Sequence, residues 1–180
     1  MSGTLATVEI KILDPRLPGW GFPVRGSTLA AGLDLHACIE APLRLLPQTP
    51  PQLVSAGFAL KIGDPDWCAL VVPRSGRGHH EGLVLGNLVG VIDADYEGPC
   101  LVSAWNRNFE DAIVIEPGDR IAQLLFTRIA RPQLAVVDEF AASAQRGGAG
   151  FGSTGSGVAA ENRRALPWRT QRGAMRDRSP

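Results

Sequence analysis

Hydrophobic and polar residues alternate along this chain in short bursts, never in a long helical stripe. Thr7-Val8-Glu9-Ile10-Lys11-Ile12-Leu13 sets the pattern, with the two-residue period of a half-buried strand. Comparable runs span residues 33–39, 52–62, 67–72, 82–93, 101–105, 112–115, 120–129 and 134–140. Turn residues separate them, as in Gly63-Asp64-Pro65-Asp66 and Glu116-Pro117-Gly118-Asp119. Apolar residues at i, i+3, i+4 and i+7 are not sustained anywhere, so at most one short helix is expected, after Pro73-Arg74, with Ser75 as its N-cap. The pattern predicts an all-β fold, an antiparallel jelly roll, sandwich or distorted barrel.

The periodic part ends near residue 145, and residues 1–145 read as one β domain. Arg146 to Gly155 is glycine-rich and cannot bury a core. Beyond it, residues 156–180 hold six arginines against two acidic groups, whereas the whole chain of 180 residues balances 18 against 18. The body is thus mildly acidic and the tail basic. Six arginines permit weak nucleic-acid contact, but a solvated, disordered tail is the favoured reading and no specific nucleic-acid partner is implied. Twenty-one glycines and 14 prolines favour strands and turns over helices. Cys38, Cys68 and Cys100 are odd in number and without a Cys-x-x-Cys pair, which argues against a disulfide framework or zinc site. No apolar run approaches the roughly 20 residues that cross a bilayer. A cytoplasmic protein with no membrane partner is the expectation.

Gly90-Val91-Ile92-Asp93-Ala94-Asp95-Tyr96-Glu97-Gly98 carries the densest chemistry. Asp93 follows two β-branched residues at a strand end, and Tyr96 is the only tyrosine of the chain. A carboxylate and a phenol on one turn can grip a small polar ring and activate water. In Pro73-Arg74-Ser75-Gly76 a strand end meets a helix start, a plausible anion seat that an ordinary turn also explains. Asp34 in Ala31-Gly32-Leu33-Asp34-Leu35 and Gln123 after Gly118-Asp119-Arg120 read, taken singly, as a solvated aspartate and a satisfied amide. Phe151, alone among glycines between Arg146 and Thr154, suggests stacking on a ligand or a neighbouring chain. His79-His80 lacks a third well-spaced metal ligand, and His36 reads as a strand-face residue.

Taken together and in order, AGLDLHA (31–37), PRSG (73–76), GNLVGVIDADYEG (86–98), GDRIAQLLF (118–126) and RGGAGFGSTG (146–155) resemble the motifs of trimeric dUTPases. GHHEGLVLGN (78–87) and SAWNRN (103–108) resemble the bacterial branch. The resemblance covers about residues 5–155, and five ordered motifs are far more specific than any one.

It implies a jelly-roll homotrimer with active sites shared between chains, converting dUTP and water to dUMP and pyrophosphate with Mg²⁺ on the triphosphate. That reaction limits uracil in DNA and supplies dUMP for thymidylate synthesis. By the resemblance, Asp93 activates the water that attacks the α-phosphorus, help that contributes about 10²–10⁴-fold in general. Asn87, the backbone of Gly90, Val91 and Ile92, and Leu101 would read uracil, since fixed polar groups discriminate strongly. Tyr96 would lie under the deoxyribose and reject a 2′-hydroxyl. Arg74, Ser75, Gly76 and Gln123 would hold phosphates, and Asp34 would hold Mg²⁺ through water. Arg146, Phe151, Gly152, Ser153 and Thr154 would close over the substrate and exclude water.

Two positions depart from the pattern: Ala149 stands where glycine is usual, and Arg77 where leucine is. The alternatives are a dCTP deaminase or bifunctional deaminase–dUTPase, and a non-catalytic dUTP-sensing interaction module. The first would need a glutamate where Ser103 stands, and the second would have no use for the water-activating Asp93.

Overall fold

Strand formation follows the two-residue period closely. The computed structural model describes residue 5, residues 7–23 and residues 25–140. Within them lie β1 (Glu9–Ile12), β2 (Leu33–His36), β3 (Leu43–Leu45), β4 (Gln52–Lys61), β5 (Trp67–Pro73), β6 (Leu83–Leu85), β7 (Gly90–Ile92), β8 (Pro99–Asn106), β9 (Ile113–Ile115) and β10 (Arg120–Arg128). One four-stranded sheet runs β1-β4-β8-β6, a second runs β2-β10-β5-β7, and β3 pairs with β9. Every pairing between these strands is antiparallel. The only helical pieces among the described residues are a short 3₁₀ turn at Leu17–Trp20 and a helical turn that starts at Ser75 and continues as the π segment Arg77–Glu81. The all-β expectation holds, and no helix is long and apolar enough to cross a membrane.

Alternation along each strand decides what is buried. In β8 the odd positions Leu101, Ser103 and Trp105 face outward, while Cys100, Val102 and Ala104 join the core. Val54, Ala56, Phe58 and Leu60 of β4 join the same core, as do Leu35, Val71 and Leu124 from the second sheet. Phe58 stacks on Phe22 at 4.5 Å between ring centroids. Midway along β4 the register with β8 shifts, and Gly57 takes φ +79 there. A Cβ at that point would collide with Cys38 Sγ, so only glycine fits the bulge.

The structure departs from the sequence expectations at four places. The run 82–93 is broken into β6 and β7 by a turn in which Leu88 adopts φ 64, an uncommon conformation for leucine. β3 is not expected from the pattern, since three residues framed by Pro42 and Pro47 give no measurable period; β9 holds it by main-chain pairing. Residues 134–140 form no strand: Leu134, Val136 and Phe140 are almost fully exposed, and a strand needs a paired edge that the described residues do not give it. Ser75 is not a cap that precedes the helical turn but part of it, and the π segment has no side-chain cap. The chain divides into the units Met1–Gln133 and Leu134–Pro180.

Candidate active site

The run Gly90–Gly98 folds as a strand followed by a turn. β7 pairs with β5 through Gly90↔Val71, Val91↔Leu70 and Ile92↔Ala69. Beyond Ile92 the chain turns, with the Tyr96 amide donating to the Asp93 carbonyl at 3.2 Å, and re-enters the other sheet as β8. A cavity of about 290 Å³ opens between β7 and the start of β8. Its walls are Asn87, Gly90, Val91, Ile92, Asp93, Tyr96 and Leu101, together with Val71, Pro99 and Cys100. All seven residues singled out from the sequence for the ring, the sugar and the water therefore meet at one cavity.

Glycines pack closely at both ends of this wall. A Cβ on Gly90 would stand 3.2 Å from Val71 Cβ and 3.5 Å from Asn87 Nδ2, a tight fit against the cavity. A Cβ on Gly98 would run into the Tyr96 ring, 2.6 Å from Cζ. Tyr96 is held in place from the other side, its hydroxyl donating to the Pro99 carbonyl at 3.1 Å. Asp93 is exposed at the rim, so water reaches its carboxylate. Burial pushes the Cys100 thiol up to about 12, which makes it a neutral, apolar piece of wall. Val71 and Pro99 carry no chemical signal in the sequence; strand pairing alone brings them here.

A second cluster surrounds Asp34 on β2. Its Oδ1 accepts from Arg74 Nε at 2.9 Å and from Gln123 Nε2 at 3.4 Å, and its Oδ2 lies 3.1 Å from Arg120 Nη1. Two guanidinium groups on one carboxylate leave a net positive charge beside the exposed Ser75 and Gly76. The cluster thus brings Arg74, Gln123 and Asp34 together with Arg120, a residue that no sequence signal singles out although it stands in the Gly118-Asp119-Arg120 motif. Antiparallel partners explain the grouping: Gln123 pairs directly with Asp34, so both side chains leave the same face of the sheet.

The cavity shares no residue with this cluster. Val71 pairs with Leu124 and with Gly90, and Leu124 and Val71 point into the core. Asp34, Gln123 and Val72 occupy the next register positions, so their side chains leave the opposite face. The cavity lining takes Val71 and Ile92 from the core side and Val91 from the outer side, and it includes none of the residues of the cationic seat.

Among the described residues no group of three His, Cys, Asp or Glu side chains could cage a metal. Asp34 fits a metal only at one remove: both its oxygens already accept from guanidinium groups, so a direct bond would displace an arginine, whereas a metal-bound water can share a lone pair. His79 and His80 lie edge to face at 4.9 Å and are exposed. A further cleft lined by Asp14, Arg16 and Glu40 holds charges already paired with one another, at 2.6 and 2.9 Å. Arg146, Phe151, Gly152, Ser153, Thr154 and Ala149, and the tail from residue 156, lie outside the described residues.

Fold and site together describe an all-β protein with a ring-sized cavity and a separate cationic seat. The family model for dUTPase matches residues 19–155, and the chain belongs to that family of enzymes. The deoxyuridine 5'-triphosphate nucleotidohydrolase of Xylella fastidiosa strain M23 is 53% identical over 156 residues, covering 86% of this chain and 99% of that protein. Its counterpart from Xanthomonas oryzae pv. oryzae strain PXO99A is 50% identical over the same share of both chains. Among solved structures, the Staphylococcus bacteriophage 80alpha dUTPase with dUPNHPP superposes with a TM-score of 0.71 at 28% identity, covering 85% of this chain and 99% of the phage chain.

Proposed function

We propose that this enzyme hydrolyses dUTP to dUMP and pyrophosphate by attack of an Asp93-activated water on the α-phosphorus. The observation that carries this reading is the cavity at β7, where Asn87, the Gly90–Ile92 backbone and Tyr96 converge beside an exposed carboxylate. Uracil lies against the strand, its edge read by Asn87 and by main-chain groups whose directions β-pairing holds, with Leu101 on the opposite wall. The deoxyribose covers Tyr96, whose ring cannot retreat because Gly98 and the Pro99 carbonyl hold it. A 2′-hydroxyl therefore finds no room. Asp93 accepts the proton of the attacking water, and pyrophosphate leaves.

The triphosphate lies on Arg74, Ser75, Gly76 and Gln123, with Arg120 adding charge. Mg²⁺ enters on the triphosphate as part of the substrate and neutralises charge there, with Asp34 contacting its water shell. Because the cavity lining of one chain includes none of its cationic-seat residues, the complete site draws on more than one copy. A homotrimer with shared sites satisfies that requirement, and the exposed Leu53 and Leu101 on the outer faces of β4 and β8 suit such an assembly. The core 1–145 carries the chemistry, Arg146, Phe151, Gly152, Ser153 and Thr154 close over the substrate, and residues 156–180 stand apart from turnover. Three unpaired cysteines suit a cytoplasmic setting, where the reaction would limit uracil in DNA and supply dUMP.

Pyrophosphate release from dUTP, UTP, dTTP and dCTP, with and without Mg²⁺, tests this directly. Release from dUTP with Mg²⁺, and little from the other three, is the expected result. Equal release from UTP would refute the sugar assignment, and ammonia release from dCTP would turn the choice to a deaminase.

A further inference from the structure

Arg77 stands in the turn beside the cationic seat, yet its own charge is engaged within the protein. Its guanidinium lies 3.0 Å from Asp119 Oδ2 and 2.8 Å from Glu81 Oε2, and its side chain is only 14% exposed. Asp119 Oδ2 also accepts the Glu116 amide at 3.1 Å, and the Asp119 carbonyl accepts the Ala37 amide at 2.8 Å, which ties this turn to the end of β2. The next residue, Arg120, reaches Asp34 at 3.1 Å, and Asp34 holds Arg74 at 2.9 Å. The Gly78 amide then donates to the Arg74 carbonyl at 2.8 Å, and Ser75 and Gly76 lie exposed in between. Side-chain and main-chain contacts thus close a circuit through two turns and β2, and Arg77 links the turns by an ion pair, beside a longer bond of 3.5 Å from Arg74 Nη1 to the Arg120 carbonyl.

From this geometry we infer that Arg77 is a positioning residue: it sets the Arg74–Gly76 turn against the Asp119 turn for a triphosphate ligand. The inference rests on the reading of that turn as the triphosphate seat. Arg77 itself does not bind the phosphates, because two carboxylates already neutralise it. It acts in two ways. Its planar fork holds Glu81 and Asp119 at once, a geometry that a point charge on a flexible stem reproduces only in part. It also offsets one of the two negative charges that would otherwise face the incoming anion together. Leucine at this position leaves both carboxylates uncompensated and frees Asp119 to compete for Arg120.

Three full-length variants test the assignment: Arg77→Leu, Arg77→Lys and Asp119→Asn. Each is assayed for kcat and KM with dUTP at two salt concentrations, for binding of dUpNHpp and dUMP, and for its thermal midpoint. Arg77→Leu should raise the KM for dUTP and the Kd for dUpNHpp about tenfold while the Kd for dUMP stays within about twofold. The defect should shrink at high salt, as a charge effect does, and Arg77→Lys should recover part of it. If Arg77→Leu does not fold, Asp119→Asn decides, since it removes the pair between turns and keeps the side-chain shape. An unchanged KM, or dUTP and dUMP affinities falling in step with the thermal midpoint, would overturn the assignment. A parent enzyme that releases no pyrophosphate from dUTP would refute the functional reading and this inference with it. An active parent whose variants match it refutes the role of Arg77 alone.

Discussion

At the scale of single residues, two carboxylates divide the work by their surroundings. Asp34 is only 12% exposed and holds two arginines, so it organises the cationic seat. Asp93 stands exposed at the rim of the ring cavity, where it can take a proton from water. Asp93→Asn should therefore bind dUpNHpp as the parent does and release pyrophosphate about 10²–10⁴-fold more slowly, the usual weight of general-base help. Undiminished turnover would remove Asp93 from the role of base. His36 makes a different, pH-dependent contribution. Its ring is buried with Nδ1 unpartnered, and burial holds its pKa below the ordinary 6.5, partly opposed by Asp34 and reinforced by Arg120 and Arg74. The unfolded chain therefore takes up a proton that the folded chain refuses as pH falls through about 6.5. Stability is full above that pH and declines below it, and His36→Gln should flatten the decline in denaturant titrations between about pH 7 and 5. An unchanged slope in the variant would assign the effect elsewhere.

Elements carry these residues to their places by pairing, not by sequence proximity. β10 is the pivot, with Gln123 beside Asp34 of β2 on one edge and beside Val72 of β5 on the other. β5 in turn places Val71 under Gly90. The motifs themselves are legible in the sequence because each combines glycine, charge and a strand end, which few other functions demand together. Arg120, Val71 and Pro99 are not, because only the register of β10 and β5, and the Tyr96 turn, give them neighbours. The glycine-rich segment is the one element whose function must be tested by removal. Truncation after Ala144 should strongly reduce dUTP turnover with the oligomer intact, whereas truncation after Gly155 should leave turnover near the parent value. A fully active chain ending at Ala144 would exclude the closing role of Arg146, Phe151, Ser153 and Thr154.

For the whole molecule, the decisive fact is that the ring cavity and the cationic seat of one chain share no residue. A site assembled from several copies should show complementation. Asp93→Asn and Arg74→Ala chains are each expected to be nearly inactive alone. When co-assembled, some sites would pair the intact Asp93 of one chain with the intact Arg74 of another. Recovered pyrophosphate release, with a mass near three times the 19.1 kDa chain, is the expected outcome. A mixture as inactive as its parts, or a monomer with full activity, would rule out shared sites.

The alternation of apolar and polar residues by itself determined that this chain is built of short antiparallel strands, because a period of two buries one face of a strand and of no helix. The ordered motifs likewise marked Asp34, Arg74, Asn87, Asp93, Tyr96 and Gln123 as one functional set. Register was decided only in three dimensions. Which strand lies beside which depends on the summed packing of side chains far apart in the chain, and no local pattern records that sum. Register put Arg120 on Asp34, made Arg77 a link between two turns, and left residues 134–140 outside every sheet of the described residues.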